Sequence, residues 1–133
     1  MTLRISLKDG EKMIVNGAVL RAVGRTDLVV ENHVAILRGR EVMSPEEATT
    51  PARRLYFATM LAYIDEDGRV AHQQQILTLL ADLADAFEAA AAKAACVSFA
   101  RNVASGDFYR ALADCRELIR CETDALASVS LAS

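Results

Sequence analysis

The stretch Leu37-Arg38-Gly39-Arg40-Glu41-Val42-Met43-Ser44-Pro45-Glu46-Glu47 is where this chain changes its period. Before it, apolar residues recur at every second position; after it, they recur at every third and fourth. Reading outward toward the N-terminus, Leu3, Ile5 and Leu7 share one face of a strand, opposite Arg4, Ser6 and Lys8. Asp9-Gly10 supplies a turn. Met13-Ile14-Val15 and Ala18-Val19-Leu20 flank Asn16-Gly17, the pair best suited to a two-residue type I′ hairpin, whose central residues both need positive φ. Gly24 and Asp27 bracket another reversal. Leu28-Val29-Val30 and Val34-Ala35-Ile36-Leu37 read as further strands on either side of Asn32-His33. Five short strands, each followed by turn chemistry, predict an antiparallel sheet or small barrel over residues 1–42. Its buried set is expected to be Leu3, Ile5, Leu7, Ile14, Val19 and Leu28, with Arg4 and Lys8 in solvent.

Reading toward the C-terminus, Ser44-Pro45-Glu46-Glu47 is a capping-box start, and Thr50-Pro51 restarts or redirects that helix. The helical run Ala52 to Ile64 ends at Asp65-Glu66-Asp67-Gly68. A second helix carries Ile76, Leu80, Leu83, Phe87, Ala90, Ala94 and Val97, spaced alternately by four and three as a heptad seam. A third repeats that spacing with Phe108, Leu112, Cys115, Ile119, Glu122 and Leu126, Glu122 being the one discordant residue. Ser105-Gly106-Asp107 joins them as an αα-hairpin. The predicted fold is therefore α+β: a β module over 1–42, then a three-helix region over 43–133. The seam is either the core of this bundle or a surface shared with another protomer or a partner helix, for which Leu80, Leu83, Phe87, Ala90 and Ala94 are the candidate contacts.

Composition excludes several functions. The 133 residues are 53% hydrophobic and 25% charged, as in an ordinary folded domain. With no Trp and only 5% aromatic residues, an extended stacking platform is not expected. Asp82, Asp85, Glu88 and Lys93 interrupt the most apolar stretch, so no membrane span is expected. The opening Met1-Thr2-Leu3-Arg4-Ile5 lacks an export pattern, and three cysteines fit a reducing compartment, so a cytoplasmic location is expected. Charge is divided along the chain. Residues 1–54 hold nine Lys/Arg against seven Asp/Glu, a net of +2, and residues 55–133 hold six against eleven, a net of −5. The first half suits a small, selective anion site rather than indiscriminate phosphate binding.

Catalytic and metal patterns are absent from the sequence. His33 and His72 lie far apart with no ligand spacing to Cys or carboxylate, and both read as solvent-facing structural residues. Cys96, Cys115 and Cys121 fall within helical patterns with no His or helix N-terminus to activate them. Asp65-Glu66-Asp67-Gly68 begins like a calcium loop but lacks the later ligands. Neither an enzyme nor a cofactor is expected. What stands out is Arg4 and Lys8 on the first strand, Arg38 and Arg40 after the last, and Arg53-Arg54 opening the helix. Such residues form either a solvated face or an edge where guanidinium groups meet phosphates or bases.

Leu7-Lys8-Asp9-Gly10-Glu11-Lys12, Asn16-Gly17-Ala18-Val19, Ala35-Ile36-Leu37-Arg38 and Ala48-Thr49-Thr50-Pro51-Ala52-Arg53-Arg54-Leu55-Tyr56-Phe57 together resemble the FlbT family of flagellin-expression regulators. The likeness continues more loosely through Leu118-Ile119-Arg120-Cys121-Glu122. The resemblance implies a post-transcriptional role: association with the 5′ untranslated region of flagellin mRNA, changing its translation and lifetime, by repression in some members and promotion in others. It also implies FlaF and flagellin as partners. A second, looser likeness runs through Lys8-x-Gly10-Glu11 and Ile36-x-Arg38-x-x-Glu41-Val42, which looks like the carbon storage regulator family of dimeric all-β mRNA binders. It places Arg4 and Arg38 at RNA, with Arg40 competing for the second role because Gly39-Arg40 intervenes before the acidic residue. The helical half has no counterpart there.

Two readings follow. In the first, the chain is an RNA-binding regulator acting through Arg4, Lys8, Arg38, Arg40, Arg53 and Arg54. In the second, it is a protein-binding module whose acidic helical half holds flagellin or FlaF. Beside these stands a third reading, a purely structural oligomerisation domain whose partner is a second copy of the chain, in a homo-oligomer.

Overall fold

The computed structural model describes residues 3–32 and 34–132, with the side chains of 128–132 left aside; His33 lies outside the described residues. The strands are β1 (Leu3–Leu7), β2 (Lys12–Val15), β3 (Ala18–Arg21), β4 (Thr26–Val30) and β5 (Ile36–Arg38). The helices are α1 (Pro51–Ile64), α2 (Arg69–Ala86), α3 (Ala90–Ala104) and α4 (Phe108–Ala132). The α+β class and the five antiparallel strands are as the sequence predicts. Of the two β alternatives the open sheet holds, as two sheets and not a closed barrel, and one detail differs: the helices among the described residues number four rather than three.

The sheets are a β1–β4 pair and a β3–β2–β5 triplet. Asn16 (φ 48°) and Gly17 (φ 86°) turn β2 into β3 with both central residues at positive φ, which is why Asn-Gly occupies them. Strand β2 is the centre. Its Met13 joins Ile5, Leu7 and Ala22 in a small core between the sheets, walled by Val15, Leu28, Val30 and Ile36. The next residue, Ile14, faces the other way and is paired with Leu37 of β5; both are buried in the helical core. The arrangement is sheet, sheet, helices.

This layering corrects two of the expected core residues. Val19 is paired with Ile14 and shares its face, yet it is 63% exposed. The helices cover β2 and β5 but stop short of β3, which overhangs. Leu3 keeps the face of Ile5 but sits at the open end of β1, where it is 54% exposed. Leu28 is half-buried, and Arg4 and Lys8 are exposed.

Helix α1 is the centre of the helical layer, with Ala52, Leu55, Tyr56, Ala58, Thr59, Met60 and Ala62 all buried. Helices α2 and α4 pack on it, and α3 packs on α4. A short 3₁₀ turn at Pro45–Glu47 precedes it, where Glu47 accepts from the Ser44 backbone N–H (3.2 Å) and hydroxyl (2.9 Å). The helix itself restarts at Pro51. A buried helix start must satisfy its free N–H groups internally. Pro51 has none to satisfy. Arg53 N–H is accepted by the Thr50 hydroxyl (3.3 Å), and Arg54 N–H by the Thr50 carbonyl (2.8 Å). The remaining donor, Ala52 N–H, is accepted by the Glu122 carboxylate of α4 at 2.9 Å, with Glu122 only 9% exposed. The residue that interrupts the apolar seam of α4 is thus the cap of another helix.

The expected single helix from Ile76 to Val97 is two. Phe87 and Ala89 are extended (ψ 132° and 136°), ending α2 and starting α3. Nothing in Phe87-Glu88-Ala89 signals a stop, since all three are tolerable in a helix and no Gly or Pro is present. The chain breaks because α2 must lie on α1 while α3 must lie on α4, and buried Phe87 anchors the corner. The break resets the phase. The inward residues of α3 are Ala92, Ala95, Cys96, Phe99 and Val103, leaving Ala90, Ala94 and Val97 exposed, so the bundle-core alternative holds for Ile76, Leu83 and Phe87 of the seam but not for its α3 residues. The α3–α4 turn is as predicted. Gly106 at φ 78° lets Gly106 N–H reach Val103 O (3.0 Å) and Asp107 N–H reach Asn102 O (2.8 Å), a Schellman closure. Asp114 then clips the pair, accepting from Ser98 (3.0 Å) and Asn102 (2.6 Å).

Glu122→Leu should lower stability by about 1–3 kcal/mol in urea or thermal melts, because it leaves a buried N–H unpaired. Glu122→Gln, which keeps an acceptor, should cost less than the leucine. Equal melting of wild type and Glu122→Leu would show that the cap carries no weight.

Candidate nucleic-acid interface

Strands β1 and β5 belong to different sheets, and the bridge between them is Arg38. Its guanidinium donates to the Ser6 carbonyl at 3.2 Å, drawing the end of β5 against β1. The chain then turns through a 3₁₀ turn, Gly39–Glu41, which presents Glu41 to the helices. Glu41 is a node. One carboxylate oxygen accepts from Arg38 N–H (3.2 Å) and the other from the Tyr109 hydroxyl (2.5 Å), while its carbonyl accepts from the Tyr56 hydroxyl (2.8 Å). Arg116 donates to Tyr56 in turn (3.3 Å). Helices α1 and α4 are thereby tied to the exit from the sheet.

These contacts enclose a groove of about 380 Å³, at the small end of the ~300–1,000 Å³ usual for small-ligand sites. Its walls include Arg4 and Arg38, with Glu41, Tyr63 and Tyr109. The rings of Tyr63 and Tyr109 meet at 5.6 Å with a 44° tilt, and Tyr109 remains 45% exposed. Of the six basic candidates, the fold therefore brings Arg4 and Arg38 together. Lys8 sits beyond β1, where its backbone N–H is held by Glu11 (3.0 Å), and it does not line the groove. Arg40 is exposed on the 3₁₀ turn, while Arg53 and Arg54 occupy the first turn of α1, half-buried and exposed respectively. None of the six forms an ion pair among the described residues. The two tyrosines are functional candidates that the sequence reading missed. They stand 46 residues apart on α1 and α4, and no local pattern joins them.

The helical candidates are divided. Leu83 and Phe87 are in the core, Leu80 is half-buried, and Ala90 and Ala94 face solvent. A second cavity, about 930 Å³, lies beside the groove and is bordered by Asp65, Glu66, Asp67 and Asp107. Its cation, Arg69, is engaged with the Ala62 carbonyl (2.8 Å) and the Phe108 ring (5.4 Å).

His72 is not simply solvent-facing. It is 19% exposed at the side chain and pairs with Asp65 at 2.9 Å, and this hydrogen bond is the main cause holding the Asp65 carboxyl below its usual range. Burial pushes the Cys96 and Cys115 thiols upward, away from the reactive thiolate. No group of three or more His, Cys, Asp or Glu able to hold a metal ion occurs among the described residues. Nor is any described helix long and apolar enough to cross a membrane.

The hydrogen bond to Glu41 raises the Tyr109 phenol to about 12, and burial raises Tyr56 and Tyr63 as well. A group whose folded pKa exceeds its unfolded value near 10 stabilises the fold fully below pH ~10 and loses that contribution as pH rises through the folded pKa. Ultraviolet titration of the folded protein should therefore show no tyrosine ionising at pH ~10. Glu41→Gln should bring one of the late phenols down toward that value. A phenol titrating normally in the wild type would break this account.

Comparison with known proteins bears on the whole chain. The family described as "Flagellar protein FlbT" matches residues 3–126. A protein of Caulobacter vibrioides named probable flagellum biosynthesis repressor protein FlbT is 35% identical over 131 residues, covering 98% of this chain and 93% of the relative. A namesake from Caulobacter sp. (strain K31) is 36% identical over 98% of this chain and its own full length. One from Agrobacterium fabrum is 36% identical over 96% of this chain and 85% of its own. No solved structure matches.

Proposed function

Because the chain belongs to the FlbT family of flagellar proteins, we propose that it regulates flagellin expression after transcription, by binding the 5′ untranslated region of flagellin mRNA. The coarser part of this reading, a regulatory role in flagellar synthesis, follows the relatives' name of flagellum biosynthesis repressor. That name describes a regulator and not an enzyme. The RNA step rests on one observation: Arg4 and Arg38, from two different sheets, line a single groove beside a pair of tyrosines. Arginine forks suit phosphates and base edges, and an exposed ring suits an unstacked base. Binding of this kind in the leader would compete with translation and change the lifetime of the message.

A gel-shift titration with flagellin leader RNA tests it. Arg38→Ala should weaken binding by about 1–3 kcal/mol if its fork reads a base. Arg40→Ala, outside the groove, should give a smaller loss that fades as salt is raised. Circular dichroism checks that the lost Arg38–Ser6 bond has not unfolded the sheets. Absence of any shift by the folded wild type would end the RNA reading.

The second reading, capture of flagellin or FlaF by the helical half, is favoured by the exposed row Ala90, Ala94 and Val97 on α3. Ala94→Leu adds bulk to that face without touching the core. It should leave the melting temperature unchanged, and loss of flagellin or FlaF in a pull-down would assign the row to a protein partner. Unchanged pull-down would remove it.

A further inference from the structure

The groove holds a feature that general phosphate binding does not call for: a carboxylate in its wall. Glu41 lies between two arginines' strands and an exposed aromatic ring, at a place where a negative charge repels the nucleic-acid backbone. A carboxylate has about four acceptor positions. Here each oxygen takes one internal hydrogen bond, from Arg38 N–H and from the Tyr109 hydroxyl, which leaves acceptor capacity on both. Two adjacent acceptors on one planar group match two adjacent donors. Among the four RNA bases, only guanine offers that on its pairing edge, with N1–H beside the N2 amine. Adenine and cytosine present one donor next to an acceptor, and uracil presents a donor between two carbonyls.

The stacking surface lies beside it. Tyr109 is 45% exposed, fixed at its hydroxyl by Glu41 and backed by Tyr63 at 5.6 Å, so its orientation is set before anything binds. We propose that the groove is a one-base pocket selective for an unpaired guanine, with Tyr109 as the stacking platform, Glu41 reading N1–H and the N2 amine, and Arg4 and Arg38 neutralising the flanking phosphates. The proposal deepens the RNA-binding reading and rests on it. Glu41 and Tyr109 are here binding residues, and Tyr63 is a positioning residue that acts through Tyr109.

The test uses short single-stranded RNAs of uridines with one central guanosine, inosine, adenosine or uridine, followed by fluorescence anisotropy at fixed salt. Inosine keeps N1–H and lacks the N2 amine. The wild type should bind the guanosine oligomer about tenfold more tightly than the inosine one, and more tightly still than the adenosine and uridine ones. Tyr109→Ala should weaken the guanosine oligomer roughly 10- to 100-fold, while Tyr109→Phe, which keeps the ring, should retain most of the affinity. Glu41→Gln should bind the guanosine and inosine oligomers alike, with a melting curve recorded to show that it is folded. Equal binding of all four oligomers, or binding of none, overturns the pocket. Binding of the flagellin leader without any preference among the oligomers also overturns it, and leaves the RNA-binding function standing. Failure to bind the leader, with guanosine preference intact, would instead overturn the assigned message.

Discussion

A single carboxylate inside the helical layer conditions the rest of the fold. Helix α1 is covered around most of its circumference, and in its first turn Ala52 is fully buried, so the Ala52 N–H must be met from within the protein. Thr50 supplies what a local cap can supply, and Pro51 removes one demand. The last donor is met from 70 residues away, by Glu122. A buried carboxylate carries a desolvation cost, offset here by its hydrogen bond and by the positive end of the α1 dipole. In exchange, α4 has one longitudinal position on α1. Cys115, two turns earlier on α4, lies against the Ala52 carbonyl at 3.5 Å and fits the same alignment.

That alignment decides where the groove forms. With α4 fixed at Glu122, its first turn brings Tyr109 against Glu41 and Tyr63. Glu41 is itself held by Arg38 and Tyr56, so sheet exit, central helix and last helix converge on one side chain. The site is built where three elements meet rather than on any one of them. Its two arginines come from neighbouring strands of separate sheets, which Arg38 itself brings together.

This explains what the sequence could and could not disclose. Turns are local chemistry, and both Asn16-Gly17 and Ser105-Gly106-Asp107 were legible because φ requirements are written in the residues that meet them. The period change around Val42 was legible for the same reason. The α2–α3 corner was not, because it answers to which helix each half must cover, and Phe87-Glu88-Ala89 has no local preference for an end. Val19 looked like a core residue since a strand's alternation says which side a residue takes, not how far the next layer extends. Glu122 was visible only as a discord in a seam. Arg4 and Arg38 could be read as candidates, whereas Tyr63 and Tyr109 could not, since their pairing exists only after α1 and α4 have been aligned.

Strand β2, with Met13 in one core and Ile14 in the other, has a consequence for strand alignment. In a sheet with one wet face, a one-residue slip is forbidden because it would carry apolar groups into water. Here Met13 and Ile14 are apolar residues of similar size in two dry compartments, so the penalty on a slip comes from their polar flanks, Lys12 in one direction and Asn16 in the other, rather than from the pair itself. Within the Met13–Ile14 pair, hydrophobic patterning thus holds β2 only weakly against β3 and β5. The duty passes to the Asn16-Gly17 bend, whose left-handed backbone fits only one pair of positions, and to Asn16 itself, which exchanges hydrogen bonds with Ala35 at 3.0 and 3.1 Å beyond the end of β5. In this protein a two-residue turn does the work of registration that elsewhere falls to the solvent.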